Sequence, residues 1–446
     1  MTANAPSQAQ PAKTRFLTGI TPSGTPHLGN YAGMMRPAIA ATHAQHVENF
    51  YFLADYHALI KCHEPERVHR STLEIAASWL ACGLDPERVT FYRQSDIPEI
   101  PELTWFLTCV TGKGLLNRAH AYKAAQDKNQ EDGRDADDGV SAGLFMYPVL
   151  MAADILAFNA HKVPVGRDQI QHIEMARDIA ASFNHLYGAH FTLPEAAIED
   201  GVATLAGLDG RKMSKSYDNT IPLFAPRAQL QKLINTLVTD SRAPGEPKQV
   251  EGSALFQLYQ AFATPEETAA MRSAYEGGIA WGEAKQMLFA CIDREIAPMR
   301  ARYEELMAHP AQVEAVLQAG AARARALSRP LLERLRAAVG LRALDARSQA
   351  PAQAAAKAAT QQLPSFKQYR EKDGRFYFKL VAHDGQVLLQ SNGFDAPREA
   401  GQAIALLQKE PGALQQLAQQ LQTRDPALLA QAAAALQQWA TVQGAA

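Results

Sequence analysis

The residues with the clearest chemical potential lie early in the chain, in the stretch Thr18–Tyr31. It contains glycines at 19, 24 and 29 and one histidine, His27, between an apolar run and a helical pattern. Glycines let one backbone approach another, and the free N–H groups at the start of a helix bind anions. The stretch therefore predicts an anion site at a strand-to-helix junction, although on spacing alone plain turn glycines are the simpler explanation.

A carboxylate inside an apolar helix is the second candidate. Residues 146–158 form a predicted helix that is apolar all round and should be buried, and Asp154 lies in its middle. A buried carboxylate is costly unless it has a partner. Tyr147 and Met151 share its face at helical spacing. Two roles stay open for Asp154, a bond to the backbone of a neighbouring loop or a contact with a ligand.

The composition bounds the class of protein. The chain has 446 residues, 47% hydrophobic and 20% charged, which allows two or three globular domains. The net charge of −2 gives no overall nucleic-acid signal, but seven arginines between 321 and 347 could contact phosphates or form a solvated helix face.

Four cysteines without a C-x-x-C pair predict a reduced, cytoplasmic protein without a protein-bound metal. The sequence has no stretch long enough to span a membrane, so no membrane contact is expected.

Alternating strand and helix patterns must position these residues. Strands are predicted at Phe16–Ile20, Phe50–Ala54, Val89–Tyr92 and Lys162–Val165, with helices over 27–44 and 65–82. Such alternation predicts an α/β fold, a Rossmann-type parallel sheet with right-handed crossovers. Gly166 follows the fourth strand as a turn, and Asp168 is predicted to cap the helix that runs to about Phe183.

The chain also divides into segments that differ in composition and in predicted secondary structure. We expect a disordered tail at 1–13, rather than a signal peptide, followed by a Rossmann catalytic domain at 14–222. A helical domain follows at 223–342, and its last helix could return to the first domain. Beyond it we expect a linker at 343–362, a small α+β module of β-β-β-α order at 363–410 and a helical tail at 411–446. The polar residues 126–139 predict a mobile loop. Within the module, Asp373-Gly374 and Asp384-Gly385 are typical hairpin turns.

Two strings point to a family. Lys212-Met-Ser-Lys-Ser216 is identical to the K-M-S-K-S loop of class I aminoacyl-tRNA synthetases, and His27-Leu-Gly-Asn30 resembles their H-x-G-H element with Asn30 in the last place. Residues 15 to about 341 resemble the bacterial tryptophanyl branch of this family. Further matching strings are Tyr147–Leu156, Val163–Gln169, His172–Asp178 and Thr239–Ser241. The resemblance implies a homodimeric, AMP-forming ligase that activates L-tryptophan with ATP and transfers it to tRNA(Trp), with 223–342 binding the tRNA and its anticodon.

The resemblance also implies the residues of the site. The nucleotide would contact Thr21, Pro22, Ser23, Gly29, Asn30, Gly166, Arg167, Asp168, Gln169 and the loop residues Lys212, Met213, Ser214, Lys215 and Ser216. Tryptophan would contact Asp154 through its indole N–H, with Met151, His57, Val163, Val165, Gly19 and Leu17 around the ring. His27, Asn30, Lys212 and Lys215 would act in catalysis. Relatives often carry a second loop lysine where this chain has Ala125, and whether Lys128 replaces it stays open.

These implied assignments agree with the chemistry of the reaction. Indole N–H is only a donor, so a buried acceptor such as Asp154 would reject amino acids that lack that donor. Activation needs no acid–base residue, because the amino-acid carboxylate attacks the α-phosphorus and magnesium pyrophosphate leaves. Catalysis then comes from positioning and from lysine cations that meet charge on the phosphates. ATP with Mg²⁺ is therefore expected as a substrate complex, without a tightly bound metal.

Three alternatives remain. Tyrosyl-tRNA synthetases share the fold and both strings, but they typically carry Gln, a partner for a phenol, at the position of Met151. Other nucleotidyltransferases with an H-x-G-H element lack the long helical domain and the Lys212–Ser216 string. A catalytically inactive relative that only binds RNA is disfavoured by the intact Lys212 and Lys215.

Overall fold

The structure, a computed structural model, describes residues 13–22, 24–198, 205–344, 364–382 and 385–443, except the side chains of 168, 411 and 438–443. The chain forms two compact units, Met1–Arg342 and Ala343–Ala446. Most of the tail predicted at 1–13 and of the linker predicted at 343–362 lies outside the described residues. The two units are described separately below.

A five-stranded parallel sheet forms the centre of the first unit. Its strands are β1 (Thr14–Ile20), β2 (Val47–Leu53), β3 (Val89–Arg93), β4 (Lys162–Val165) and β5 (Glu195–Ile198). The order is β3-β2-β1-β4-β5, and all neighbours are parallel. The chain reverses its winding between β1 and β4, and in such sheets ligands bind beyond the carboxyl ends of the strands at that point. The predicted Rossmann-type sheet is confirmed.

Helices connect and cover these strands. They are α1 (Leu28–Asn30), α2 (Arg36–Ala41), α3 (Asp55–Ala58), α4 (Pro65–Ala81), α5 (Glu99–Val110), α6 (Lys113–Leu116), α7 (His120–Glu131), α8 (Ala142–Leu156) and α9 (Ile170–Tyr187). The predicted helix over 27–44 is not continuous, because a π-helical turn, Tyr31–Met35, separates α1 from α2. Pro37 lies two residues after this turn and has no N–H for the regular ladder, which favours the wider turn.

The prediction of a loop at 126–139 is wrong for its first half, which is helical. Helix α7 continues through Glu131, and only the residues after it form turns. Asn129 explains the change, because its buried side-chain amide donates hydrogen bonds to the carbonyl oxygens of Ala136 (3.1 Å) and Asp138 (2.7 Å). A polar composition alone did not reveal that one side chain ties the turn back to the helix.

The described residues of the first unit also form α10 (Arg227–Asn235), α11 (Ala254–Phe262), α12 (Pro265–Glu276), α13 (Trp281–Ala308) and α14 (Pro310–Ala338). A capping box at Thr264 and Glu267 starts α12, as its sequence predicts. The long α14 packs on β3 at Gly320, where an added Cβ would lie 1.7 Å from the carbonyl oxygen of Phe91. Later along α14, Leu331 and Leu335 enter the core beneath α5.

The second unit contains a three-stranded antiparallel sheet with helices. Its elements are β6 (Ser365–Arg370), β7 (Phe376–Val381), β8 (Val387–Gln390), α15 (Pro397–Lys409) and α16 (Pro426–Gln443). The strand order is β6-β7-β8. Phe378 and Leu380 of β7 share a core with Ala403 and Leu407 of α15, so one face of the sheet is buried. The predicted β-β-β-α order is confirmed.

Candidate active site

The two signature strings meet in space. The segment around His27 pairs with residues that follow the lysine loop, because Leu28 N–H donates to the Ile221 carbonyl at 3.0 Å. The backbone N–H of Gly29 also points at the sulfur of Met213, 3.4 Å away. A Cβ at Gly29 would lie 3.1 Å from the His27 ring and 3.5 Å from Met213 Cβ. Glycine therefore permits this close approach.

His27 and Asn30 form a reciprocal cap at the start of α1. Asn30 N–H donates to His27 Nδ1 at 3.2 Å, and His27 N–H donates to Asn30 Oδ1 at 3.1 Å. Burial lowers the pKa of His27 to about 4, and the positive charge of Lys215 acts in the same direction. The ring is therefore neutral near pH 7, and because Nδ1 accepts, Nε2 carries the proton. His27 can offer one N–H donor to a ligand oxygen.

The lysine loop is organised by Asn219. This side chain is 2% exposed, and its Oδ1 accepts the backbone N–H of Ser214 at 2.8 Å. Its Nδ2 donates to Asp209 Oδ1 (2.6 Å) and to the Lys212 carbonyl (3.1 Å). Gly207 packs against it so closely that an added Cβ would lie 2.4 Å from the amide carbon. Sequence reasoning missed Asn219, because its only local signal is an asparagine shortly after the lysine-serine string.

The side chains of the loop differ in exposure. Met213 is buried against the first string, whereas Lys212, Lys215 and Ser216 are exposed and Ser214 is half-buried. Burial of its ammonium group by neighbouring atoms lowers the pKa of Lys215, and the charge of Glu74 opposes that shift. A Cβ at Gly24 would lie 3.5 Å from Lys215 Nζ, which places this cation beside the glycine turn after β1. The arrangement can bring positive charge to an anion bound there.

Asp154 lies in a buried hydrogen-bond network. It is 1% exposed, and its Oδ2 lies 2.9 Å from His57 Nε2. Gln94, which is fully buried, donates from Nε2 to both carboxylate oxygens, at 2.8 and 3.0 Å. Burial raises the pKa of Asp154, and the hydrogen bonds from His57 and Gln94 oppose that effect. The sequence predicted that Asp154 needs a partner but did not single out Gln94.

The apolar residues assigned around the ring lie on one face of the sheet. In β1, Leu17 and Gly19 alternate onto that face, and the register of Phe16 with Lys162 places Val163 and Val165 beside them. Leu17 and Val163 are buried in the core that α8 covers, and Val165 is half-buried against it. A Cβ at position 19 would lie 2.9 Å from Phe52 Cζ, so Gly19 leaves room for that ring. Phe52 is a wall residue that the sequence did not indicate.

Tyr147 and Gln169 close another side of this region. Tyr147 Oη lies 2.5 Å from His172 Nε2, and His172 Nδ1 lies 2.7 Å from Gln169 Oε1. Met151, one turn along α8 from Tyr147, is half-buried. The structure therefore places the side chains of α8 and of the start of α9 next to each other.

The junction after β4 differs from its prediction by one residue. A 3₁₀ turn, Arg167–Gln169, is inserted before α9, and Gln169 rather than Asp168 occupies the cap position. The Gln169 N–H donates to the Gly166 carbonyl at 3.0 Å, which tightens this turn. The predicted N-cap position is therefore off by one residue, and the side chain of Asp168 lies outside the described residues, as does Ser23. Thr21 is exposed and Pro22 is buried at the end of β1.

Two other sequence signals are explained by the chain's own packing. Of the seven clustered arginines, Arg323 donates to the Val89 carbonyl, Arg325 to Glu99 and Arg336 to Glu102. These three therefore join α14 to the sheet and to α5. The second signal is an apolar helical stretch over 103–116, which could have covered a partner subunit. It is core instead, because Leu103, Phe106, Leu107 and Leu116 are all buried within the chain.

The part of the chain that the structure describes has neither a cluster of metal ligands nor a membrane-spanning helix. No three His, Cys, Asp or Glu side chains in it are grouped so that they could hold a metal ion. None of its helices combines the length and apolar character needed to cross a bilayer.

Comparison with known proteins supplies the remaining observation. Residues 10–294 match the class I tRNA synthetases for tryptophan and tyrosine, and residues 371–411 match a domain of unknown function, DUF1508. The tryptophan–tRNA ligase of Xanthomonas campestris is 70% identical over 394 residues, 88% of this chain and 91% of that protein. The ligase of Xylella fastidiosa is 64% identical over 400 residues, 89% and 91% of the two chains. Tryptophanyl-tRNA synthetase from Campylobacter jejuni, solved with ADP and tryptophan, is 40% identical with a TM-score of 0.68, over 74% of this chain and all of that one.

Proposed function

The chain belongs to the tryptophan–tRNA ligases, within the class I tRNA synthetases, and from this membership we propose how its own residues perform the reaction. It activates L-tryptophan with ATP to tryptophanyl-adenylate and transfers the amino acid to tRNA(Trp). The observation that carries the proposal is the buried Asp154 carboxylate, oriented by two side chains on the face of the sheet where the apolar residues gather. The tyrosine alternative is disfavoured by Met151 and by the relatives' names.

Asp154 accepts the indole N–H in this proposal. The indole ring lies among Met151, His57 and the apolar side chains of β1 and β4, and Gly19 leaves room beside Phe52. Phenylalanine has no side-chain donor, so binding it would leave a buried acceptor unpaired. Tyr147 and Gln169, which are connected through His172, offer polar atoms for the amino-acid head group.

ATP binds beyond the carboxyl ends of β1 and β4. Thr21, Pro22, Gly29 and Asn30 supply the contacts of the first string, and Gly166, Arg167 and Gln169 those after β4. Ser23 and the Asp168 carboxylate are proposed from family resemblance alone. The lowered pKa of His27 keeps its ring neutral, with the proton on Nε2. From that atom the ring donates to a phosphate oxygen.

Lys212 and Lys215 stabilise the transition state as cations. The tryptophan carboxylate attacks the α-phosphorus in line, pyrophosphate leaves with Mg²⁺, and negative charge grows on the departing oxygens. Ammonium groups on an exposed loop beside the Gly24 turn can meet that charge. Met213 packs the loop against the first string, and Ser214 and Ser216 add hydroxyl donors. Mg²⁺ enters as part of the ATP substrate rather than through a protein site.

The larger organisation follows the family. Residues 14–222 act as the catalytic domain and 223–342 as the region that binds tRNA, and the enzyme works as a cytoplasmic homodimer. The arginine cluster gives little support for RNA contact, because several of its members bind the chain's own backbone and carboxylates. The DUF1508 match gives residues 363–410 no assigned role.

One assay tests the central proposal. Exchange of labelled pyrophosphate into ATP is measured with each of the twenty amino acids, followed by charging of tRNA(Trp). We expect exchange with tryptophan and charging of that tRNA alone. Exchange that depends on tyrosine, or none with any amino acid, would refute the proposed activity.

A further inference from the structure

We infer that Gln94 is a positioning residue for tryptophan recognition, which holds the Asp154 carboxylate so that one oxygen stays directed at the indole N–H. The inference rests on the proposed function, because it gives Asp154 the role of acceptor. Gln94 follows β3 directly and lies 60 residues from Asp154 in the sequence. The family resemblance assigned it no role, and its contacts alone suggest one.

The amide of Gln94 has one defined orientation. Its Oε1 accepts the backbone N–H of Tyr56 at 3.1 Å, so its Nε2 must be the atom that faces Asp154. The Asp55 carboxylate fixes the same two segments, because its Oδ1 accepts the N–H groups of Tyr56 (3.2 Å) and Ser95 (3.0 Å). The turns after β2 and β3 are thereby joined, and the donor of Gln94 cannot turn away from Asp154.

Counting acceptor positions shows where the ligand must bind. A carboxylate has four such positions, and Gln94 fills one on each oxygen of Asp154. His57 Nε2, at 2.9 Å, takes a second position on Oδ2. The fourth position belongs to Oδ1. An indole N–H is therefore directed to Oδ1, and Gln94 together with His57 sets that direction.

Gln94 also keeps the carboxylate in the form that accepts. Burial raises the pKa of Asp154, and the nearby charge of Asp55 acts in the same direction, while His57 and Gln94 lower it. Tyr92 faces the same group, and burial together with the charge of Asp154 raises the pKa of its hydroxyl. Without the Gln94 donor, protonation of Asp154 would become easier, and a protonated carboxyl is a poorer acceptor for indole.

Gln94→Leu is the first test. It keeps the volume close to that of Gln94 and removes the amide, so tryptophan should bind about 10- to 100-fold more weakly by calorimetry, the usual range for a lost hydrogen bond to a charged group. The KM for ATP should stay within about twofold, because the nucleotide contacts lie elsewhere. Gln171→Leu is the matched control, since its amide also bonds backbone groups, at His120 and Arg118, outside the pocket.

Gln94→Glu separates a positioning role from a merely structural one, because only a positioning role predicts a changed pH dependence of tryptophan affinity. Two carboxylates in contact repel when both are ionised, but at lower pH they can share one proton, which restores a donor to Asp154. The tryptophan affinity of this variant should therefore improve as the pH falls from 8 to 6. That of the wild-type enzyme should not improve, because protonation can only remove its acceptor.

The outcomes separate this inference from the proposed function. A folded Gln94→Leu variant with wild-type tryptophan affinity, or a Gln94→Glu variant with the wild-type pH trend, would overturn the inference. Should Gln94→Leu fail to fold, the pH trend of Gln94→Glu decides alone. Asp154→Ala is measured in parallel. If it too keeps full affinity, the proposed tryptophan site is wrong. If the Gln94 variants keep full tryptophan affinity while Asp154→Ala loses it, Asp154 remains the proposed acceptor and Gln94 is not its positioning residue.

Discussion

The side-chain amide of Asn219 bonds the backbone of Ser214 at 2.8 Å, and the same amide reaches the Lys212 carbonyl at 3.1 Å. The loop that carries both proposed catalytic lysines is thus closed around a single buried side chain. Asp209 accepts from the same group at 2.6 Å and fixes its orientation. Positioning of Lys212 and Lys215 therefore depends on a residue outside the set proposed to contact substrates.

Replacing Asn219 with Ala should loosen the lysine loop. The three hydrogen bonds disappear, and each leaves a backbone or carboxylate group without its buried partner, so adenylate formation should slow about 10- to 100-fold. Tryptophan affinity, measured by calorimetry, should not change, because Asp154 lies in a different network. The exposed Asn235→Ala is the control. An Asn219→Ala enzyme with the wild-type rate of adenylate formation would show that the loop needs no such support.

Lys215→Ala should reduce the rate of adenylate formation with little effect on tryptophan binding. A cation that meets charge late in the reaction stabilises the transition state more than the ground state, and one such contact is worth about 3 kcal/mol, or roughly 100-fold in rate. Single-turnover kinetics at saturating ATP measures this directly. Lys232→Ala, an exposed lysine on α10, is the matched control. A change confined to the KM for ATP would instead make Lys215 a ground-state anchor.

The pH dependence of folding should report His27. Its folded pKa of about 4 lies below the ordinary value of 6.5, so the unfolded chain takes up this proton first as the pH falls. Above pH 6.5 the group contributes nothing. Between 6.5 and 4 it lowers the free energy of unfolding, by about 3 kcal/mol at most. His27→Asn keeps a capping oxygen without the titration, so urea unfolding between pH 7 and 4.5 should show a shallower loss of stability.

The exposed His63→Asn provides the control for that experiment. An identical slope of unfolding free energy against pH in wild type and His27→Asn would contradict the buried, neutral imidazole.

Gly320→Ala should destabilise the first unit strongly. The added methyl carbon would lie 1.7 Å from the Phe91 carbonyl oxygen, so α14 would have to move away from β3. Overpacking of this kind costs about 3 kcal/mol or more when backbone must shift. Gly282→Ala makes the same change on α13 with no atom within 4 Å and should be neutral or slightly stabilising. Thermal unfolding compares the two, and equal Tm values would mean that α14 is not seated on β3.

The sequence alone determined the features that depend on local pattern. An apolar run and a following glycine placed β4 with its observed bounds, and the lysine-serine string with His27-Leu-Gly-Asn30 identified the family. The apolar character around Asp154 also predicted a buried carboxylate in need of a partner. Each of these signals lies within a short segment of the sequence, where residue spacing alone defines the buried face of a helix or strand and the point where one element ends.

The tertiary structure decided which residues meet across long separations. His57 and Gln94 reach Asp154 from 97 and 60 residues away, and no periodicity in the sequence records such contacts. For the arginines of α14 the sequence left phosphate contact and a solvated helix face open, whereas in the structure Arg325 and Arg336 bind carboxylates of α5. Hydrogen bonds are directional and short, so they are fixed only when packing brings donor and acceptor together, and that packing depends on the whole sheet.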